Sequence, residues 1–132
     1  MDFLSVDSCF DQLYHLQAVA IIYGKLIPLA SLLFICSKNQ WRSPTAELLF
    51  KNHPEHTAFS AGTSDKARIR VNQKMIDRAD VVFVMERRHK QLLKQRFELT
   101  SKQIIVLDIE DNYQFNAPEL VEILRNVLSE YL

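Results

Sequence analysis

A cysteine and an arginine six positions apart, Cys36 and Arg42, close the segment Leu32-Leu33-Phe34-Ile35-Cys36-Ser37-Lys38-Asn39-Gln40-Trp41-Arg42-Ser43-Pro44. These residue types at this spacing suit attack on a phosphoryl group. The residues between them can curl so that successive backbone N–H groups point into one concavity, and a following helix adds the positive end of its dipole. A phosphate held there would contact Ser37, Lys38, Asn39, Gln40, Trp41, Arg42 and Ser43. The same donors and the Arg42 guanidinium favour the thiolate of Cys36, its nucleophilic form. Arg42 can give two parallel N–H bonds to phosphoryl oxygens, a geometry that lysine cannot match. Ser43 can donate its hydroxyl to the sulfur or cap the next helix. Asn39 is a residue type that tolerates left-handed backbone inside a turn. The competing reading is a buried cysteine at a strand end beside a solvated arginine.

The elements around the motif favour the first reading. Ser31 to Cys36 predicts a buried strand, and Ser43-Pro44-Thr45-Ala46-Glu47-Leu48 predicts a helix start with Ser43 as N-cap and Pro44 in the first turn. Further strands are predicted near 57–60, 80–85 and 103–108, and helices near 43–53, 71–78, 87–96 and 117–131. Strand and helix alternate. That order predicts an α/β fold: three layers, α/β/α, with a four-stranded parallel sheet, and with the phosphate loop after the first strand. Ligand sites in such sheets lie at the carboxyl ends of the strands, where Cys36 and the acidic stretch Asp108 to Asp111 would both be.

The motif and its surroundings resemble the low-molecular-weight protein tyrosine phosphatases. The apolar strand, Cys-x5-Arg-Ser-Pro and following helix are similar to that family's phosphate loop. Phe59-Ser60-Ala61-Gly62-Thr63 resembles its second recurring segment and Ala79-Asp80-Val81-Val82-Phe83-Val84-Met85-Glu86 its third. Asp111-Asn112-Tyr113 resembles the Asp-Pro-Tyr loop that carries the general acid. The resemblance covers about residues 30 to 131, and the wording around Trp41 and Val84-Met85-Glu86-Arg87-Arg88-His89 is closest to a compact bacterial branch. It implies Cys36 as nucleophile, Arg42 as phosphoryl clamp and Asp111 as general acid. It also implies a supporting network of Asn39, Ser43 and Ser60. Asp108 and Glu110 compete with Asp111 for the acid, which is preferred only for its place before Tyr113.

The chemistry that follows is phosphomonoester hydrolysis without metal or other cofactor. Cys36 forms a phosphocysteine while the acid protonates the leaving oxygen, and the same carboxylate then activates water. The resemblance implies a phosphotyrosine protein as substrate, with a small-molecule or nucleic-acid phosphate as the alternative enzyme reading and a catalytically weak phosphate-binding module as the other. Trp41, Tyr113 and Phe115 could wall the pocket around an aromatic leaving group, or simply pack. Several positions depart from the family pattern. Trp41 stands where a second loop cysteine is usual, Lys38 replaces a glycine, Asn112 replaces the proline, and Asp65 replaces a histidine near Ala67-Arg68. The stretch from Thr63 to Ala67 is short, so part of the usual pocket wall is missing.

Composition bounds the rest. A chain of 132 residues with 48% hydrophobic content is one domain's worth, and two glycines leave little room for flexible joints. Formal net charge is zero, yet Lys66, Arg68, Arg70, Lys74, Arg78, Arg87, Arg88, Lys90, Lys94 and Arg96 crowd the middle of the chain. Solvated helix faces explain these better than a nucleic-acid patch, since no nucleic-acid-binding motif accompanies them. Cys9 and Cys36 make no disulfide framework and fit a reducing cytoplasm. His15, His53, His56 and His89 lack ligand spacing for a metal. Residues 1–29 read as an N-terminal extension to a catalytic domain at 30–132. Lys25 and Pro28 interrupt their apolar runs before a membrane-spanning length, and Phe10 to Tyr23 could form an added amphipathic helix.

Overall fold

The computed structural model describes residues 18–22, 25–100 and 102–132. Its elements follow in the order β1 (Ala18–Ile22), β2 (Lys25–Cys36), α1 (Arg42–Leu49), β3 (His56–Gly62), α2 (Gln73–Arg78), β4 (Val81–Val84), α3 (Arg87–Arg96), β5 (Gln103–Val106) and α4 (Pro118–Leu128). β2 pairs in parallel with β3 on one side and with β4 on the other, and β5 pairs in parallel with β4. The order β3-β2-β4-β5 is the predicted four-stranded parallel sheet.

The alternation of side chains along β2 explains the three layers, because successive residues of a strand point to opposite faces. Leu32, Phe34 and Cys36 join Phe83, Met85 and Leu107 in one cluster, closed by Ala46 of α1 and by Leu120, Leu124 and Leu128 of α4. Leu33 and Ile35 join Val82 and Val84 in the other, closed by Ile76 of α2 and Leu93 of α3. Phe34 is the centre of the first cluster, with its ring stacked on Phe83 at 5.3 Å and on Phe50 at 5.8 Å between centroids. Each such side chain contributes roughly 1.5–3 kcal/mol by leaving water. A strand buried on both faces cannot easily slip or fray, so its last residue, Cys36, is held firmly.

Several details differ from the expectations drawn from sequence. α1 begins at Arg42 with Trp41 at its N-cap, so Ser43 lies inside the helix and its hydroxyl meets Cys36 Sγ and Asn39 Nδ2 instead of capping. Residues 18–22 are not part of a helix over 10–23. They form β1, which pairs antiparallel with the first part of β2 from Ala18↔Leu29 to Ile22↔Lys25. The stretch Ala18-Val19-Ala20-Ile21-Ile22 is rich in β-branched residues, which suit a pleated surface better than a helix. Residues 10–17 and 23 of that stretch lie outside the described residues. α1 ends at Leu49 rather than near 53. The chain tightens there into i→i+3 turns, Phe50 N–H to Glu47 O and Lys51 N–H to Leu48 O, and Pro54 disfavours helical backbone at His53. β5 ends at Val106, and Asp108 takes a left-handed φ of 57° that no regular strand accommodates.

Candidate functional site

β2, β4 and β5 all end at one edge of the sheet, and the segments that leave them supply the site. After Cys36 the chain turns back through residues 37–41 before α1 begins at Arg42. The turn is possible because Asn39 adopts a left-handed φ of 57°, which asparagine tolerates better than most residues.

The loop carbonyls point away from the turn. Thr63 N–H donates to Cys36 O at 3.0 Å, Ser64 N–H to Ser37 O at 2.9 Å and Arg68 N–H to Lys38 O at 3.0 Å. Arg68 Nε–H adds a bond to Asn39 O at 3.1 Å. Among the described residues, none of the backbone N–H groups of 37–41 has a protein acceptor. Carbonyls tied outward and amides left inward are the form of an anion nest. Gly62 allows the loop to lie this close to β3: a Cβ there would stand 2.5 Å from Ser37 O and 3.0 Å from Asn39 N.

Behind the loop runs a buried chain of side-chain hydrogen bonds. Asn39 spends one amide hydrogen on Ser43 Oγ at 2.9 Å and the other on Ser60 Oγ at 2.8 Å. Ser60 passes its own proton to Glu47 Oε1 at 2.5 Å. Ser43 Oγ, already an acceptor, lies 3.0 Å from Cys36 Sγ and 3.4 Å from Ala61 O. Its single proton has two acceptors within reach, Ala61 O and the nearer Cys36 Sγ.

Arg42 is almost wholly buried, and its position is fixed by two bonds from Nη1, to Glu86 Oε1 at 2.9 Å and to Ile109 O at 2.8 Å. Its Nε lies 3.5 Å from Asp111 Oδ1. Nη2 makes no hydrogen bond among the described residues, and the side chain lines a cavity of about 130 Å³ together with Cys36, Ser37, Lys38, Gln40, Trp41 and Asp111. Burial alone would raise the pKa of Glu86, but hydrogen bonds from Arg42 and Arg88 outweigh it and hold the carboxyl below its ordinary value. His89 packs fully buried beside this pair. Burial first, then the nearby Arg42 and Arg88 cations, bring its pKa down to about 4, so the ring is neutral near pH 7.

The structure thus brings Cys36, Arg42 and Asp111 to one cavity and sets Asn39, Ser43 and Ser60 behind its wall. Asp108 and Glu110 face a different hollow, shared with Glu86, Arg87, Arg88 and Ile109. Glu110 also accepts from Asn112 Nδ2 at 2.6 Å. Of the three aromatics, Trp41 lines the cavity, Tyr113 packs on the core cluster, and Phe115 lines an adjoining groove with Gln40, Pro44, Leu48 and Arg68. Asp65 stands in the open, 3.8 Å from Arg70. Glu47, Glu86, His89 and Arg68 were not singled out by sequence. Glu86 and His89 form a reciprocal cap at the start of α3, yet Glu-x-x-His is not the Ser/Thr-x-x-Glu/Gln pattern by which a sequence announces one. Among the described residues no group of three or more His, Cys, Asp or Glu could hold a metal ion, and no helix is long and apolar enough to cross a membrane.

No protein-family model and no curated protein matches this chain. Solved structures do match. Tyrosine phosphatase Wzb from Escherichia coli K30, in complex with phosphate, is 19% identical with a TM-score of 0.63, covering 77% of this chain and 95% of that one. A low-molecular-weight protein tyrosine phosphatase from T. tengcongensis is 21% identical with a TM-score of 0.60, covering 78% and 99%. YwlE arginine phosphatase from Geobacillus stearothermophilus is 23% identical with a TM-score of 0.53, covering 76% and 84%. The chain has the fold of the low-molecular-weight protein tyrosine phosphatases.

Proposed function

We propose that this chain is a metal-independent cysteine phosphatase acting on a phosphotyrosine protein. The observation that carries the reading is the convergence of Cys36, Arg42 and Asp111 on one cavity whose loop amides have no protein acceptor among the described residues. Cys36 Sγ attacks phosphorus in line with the leaving oxygen. The S–P bond forms as the P–O bond breaks, and protonated Asp111 gives its proton to that oxygen. The loop amides and the Arg42 Nη2 edge stabilise the equatorial charge, and Ser43 donates to the sulfur. Ionised Asp111 then takes a proton from water, which attacks phosphorus and releases Cys36 as thiolate with inorganic phosphate. Asp111 is assigned the acid because Asp108 and Glu110 line a different hollow.

Residues 30–132 are the proposed catalytic unit, for Ala30 is the first residue of β2 to pair in parallel, with His56. Residues 1–29 are then an extension, and a reducing, cytoplasmic setting suits a reactive thiol. The second reading, hydrolysis of small phosphate esters, is favoured by the shallow wall: of the three candidate aromatics only Trp41 lines the cavity. Matching structures are named as both tyrosine and arginine phosphatases, so phosphoarginine belongs among the substrates tried.

The test is hydrolysis of an aryl phosphate, an alkyl phosphate and phosphoarginine from about pH 5 to 8 without added metal, for the native chain and Cys36→Ala. Turnover by the native chain and none above background for Cys36→Ala is expected, with the aryl ester fastest. Retained turnover in Cys36→Ala would overturn the mechanism. Phosphate binding without turnover of any ester would leave the binding-module reading.

A further inference from the structure

We infer that His89 is a positioning residue that turns the Ser37 hydroxyl into a donor for the bound phosphoryl group, an inference that rests on the phosphate-site reading above. His89 sits in the first turn of α3, where Nδ1 accepts the Glu86 backbone N–H at 3.0 Å. An accepting Nδ1 carries no proton, so the single proton of the neutral ring is on Nε2. Nε2 lies 3.0 Å from Ser37 Oγ. The ring N–H donates and the serine oxygen accepts.

The consequence falls on the serine proton. With a lone pair of Oγ engaged by His89, the O–H is directed elsewhere, and among the described residues Ser37 Oγ has no second partner. Ser37 directly follows Cys36 and lines the same cavity as Arg42. An anion in the cavity is the acceptor this hydroxyl lacks. Without the ring behind it, the serine could equally present a lone pair to the phosphoryl oxygens, which repels them. His89 makes the favourable orientation the resting one without adding a charge beside Arg42. The start of α3 thereby serves the site twice, with Glu86 holding Arg42 and His89 orienting Ser37.

Two replacements separate this role from mere packing, because an asparagine amide overlays the Nδ1 side of histidine and a glutamine amide reaches the Nε2 position. His89→Asn keeps an acceptor for the Glu86 N–H but does not reach Ser37, whereas His89→Gln keeps a donor for Ser37. Binding of inorganic phosphate and of vanadate would be measured for the full chain, with unfolding temperature recorded for each variant. His89→Asn and Ser37→Ala should each weaken binding roughly tenfold, His89→Gln by less than about threefold, and His89→Asn should add nothing in the Ser37→Ala background. Equal weakening by His89→Asn in both backgrounds would overturn the inference, as would full phosphate affinity in His89→Asn. Should His89→Asn fail to fold, Ser37→Ala decides alone, and native affinity in that variant sinks the idea. A native chain that binds neither anion overturns the phosphate-site reading itself, whereas native binding without the His89 and Ser37 coupling overturns this inference only.

Discussion

Two loops border the cavity, and the chain holds them in different ways. The loop after Cys36 gives up four carbonyls, those of Cys36, Ser37, Lys38 and Asn39, to the backbone and arginine of the 63–68 segment. Its Asn39 is fully buried and bonded to two serines. The loop that carries Asp111 is exposed at Glu110, Asp111, Asn112, Gln114 and Phe115. Its ties lie toward its ends, where Ile109 N–H donates to Met85 O at 2.8 Å and Asn116 N–H to Thr45 Oγ1 at 2.8 Å, with Tyr113 resting on the core between them. Donors that must meet a phosphoryl group gain most from being fixed in advance, since they then spend nothing on reorganisation. A carboxyl group that meets leaving groups of various sizes is better placed at the solvent edge.

The comparison is most severely tested at the buried loop. Arg42→Lys keeps a positive charge but loses the planar fork and the bonds to Glu86 and Ile109, so turnover should fall by about 10³-fold or more, read as kcat/KM for an aryl phosphate. A loss below about tenfold would mean that charge alone suffices there. On the open loop, Asp111→Asn should lower kcat by about 10²-fold and leave phosphate affinity intact or tighter, while Asp108→Asn and Glu110→Gln stay near native. A large loss in Glu110→Gln instead would move the acid.

Stability offers two finer contrasts. On acidification the His89 ring, with a pKa of about 4 in the folded chain against 6.5 as the ordinary value, stays neutral while the unfolded chain takes up protons. The unfolded state binds more protons, so stability is full above about pH 7 and falls as pH drops toward the folded pKa, by about 2 kcal/mol between about pH 7.5 and 5. His56, also held below its ordinary value by burial and by His53, works in the same direction. Thermal unfolding across that range should therefore be less pH-dependent in His89→Gln than in the native chain, though not flat. An unchanged dependence would assign the proton uptake elsewhere. Two single substitutions, one on each loop, complete the contrast. Gly62→Ala, which puts a Cβ against Ser37 O and Asn39 N, should cost about 1–3 kcal/mol and weaken phosphate binding. Asn112→Ala on the open loop should stay within about 0.5 kcal/mol by chemical denaturation.

Part of this was legible in the residue order. Cys36, Asn39, Arg42 and Ser43 lie within one turn of chain and the start of one helix, so their proximity follows from local geometry, and the alternation of strand and helix predicted the parallel sheet. The left-handed backbone at Asn39 belongs to the same group, because the residue type announces it. The proposed acid was legible only as a choice of three. Asp108, Glu110 and Asp111 are near neighbours in sequence, and an exposed loop carries no periodicity to tell which carboxylate faces which hollow.

The order of residues alone set the proposed nucleophile Cys36, the Arg42 guanidinium that shares its cavity, and the class of fold that places both at a strand's carboxyl end, because spacing along the chain and alternating burial are properties of order. Tertiary structure decided the partners: Glu86 for Arg42, 44 residues away, His89 for Ser37, 52 residues away, and Asp111 rather than its neighbours for the cavity. Those pairings exist only once β2, β4 and β5 lie side by side, since register and twist, rather than separation in sequence, set which side chains meet at the edge of a sheet.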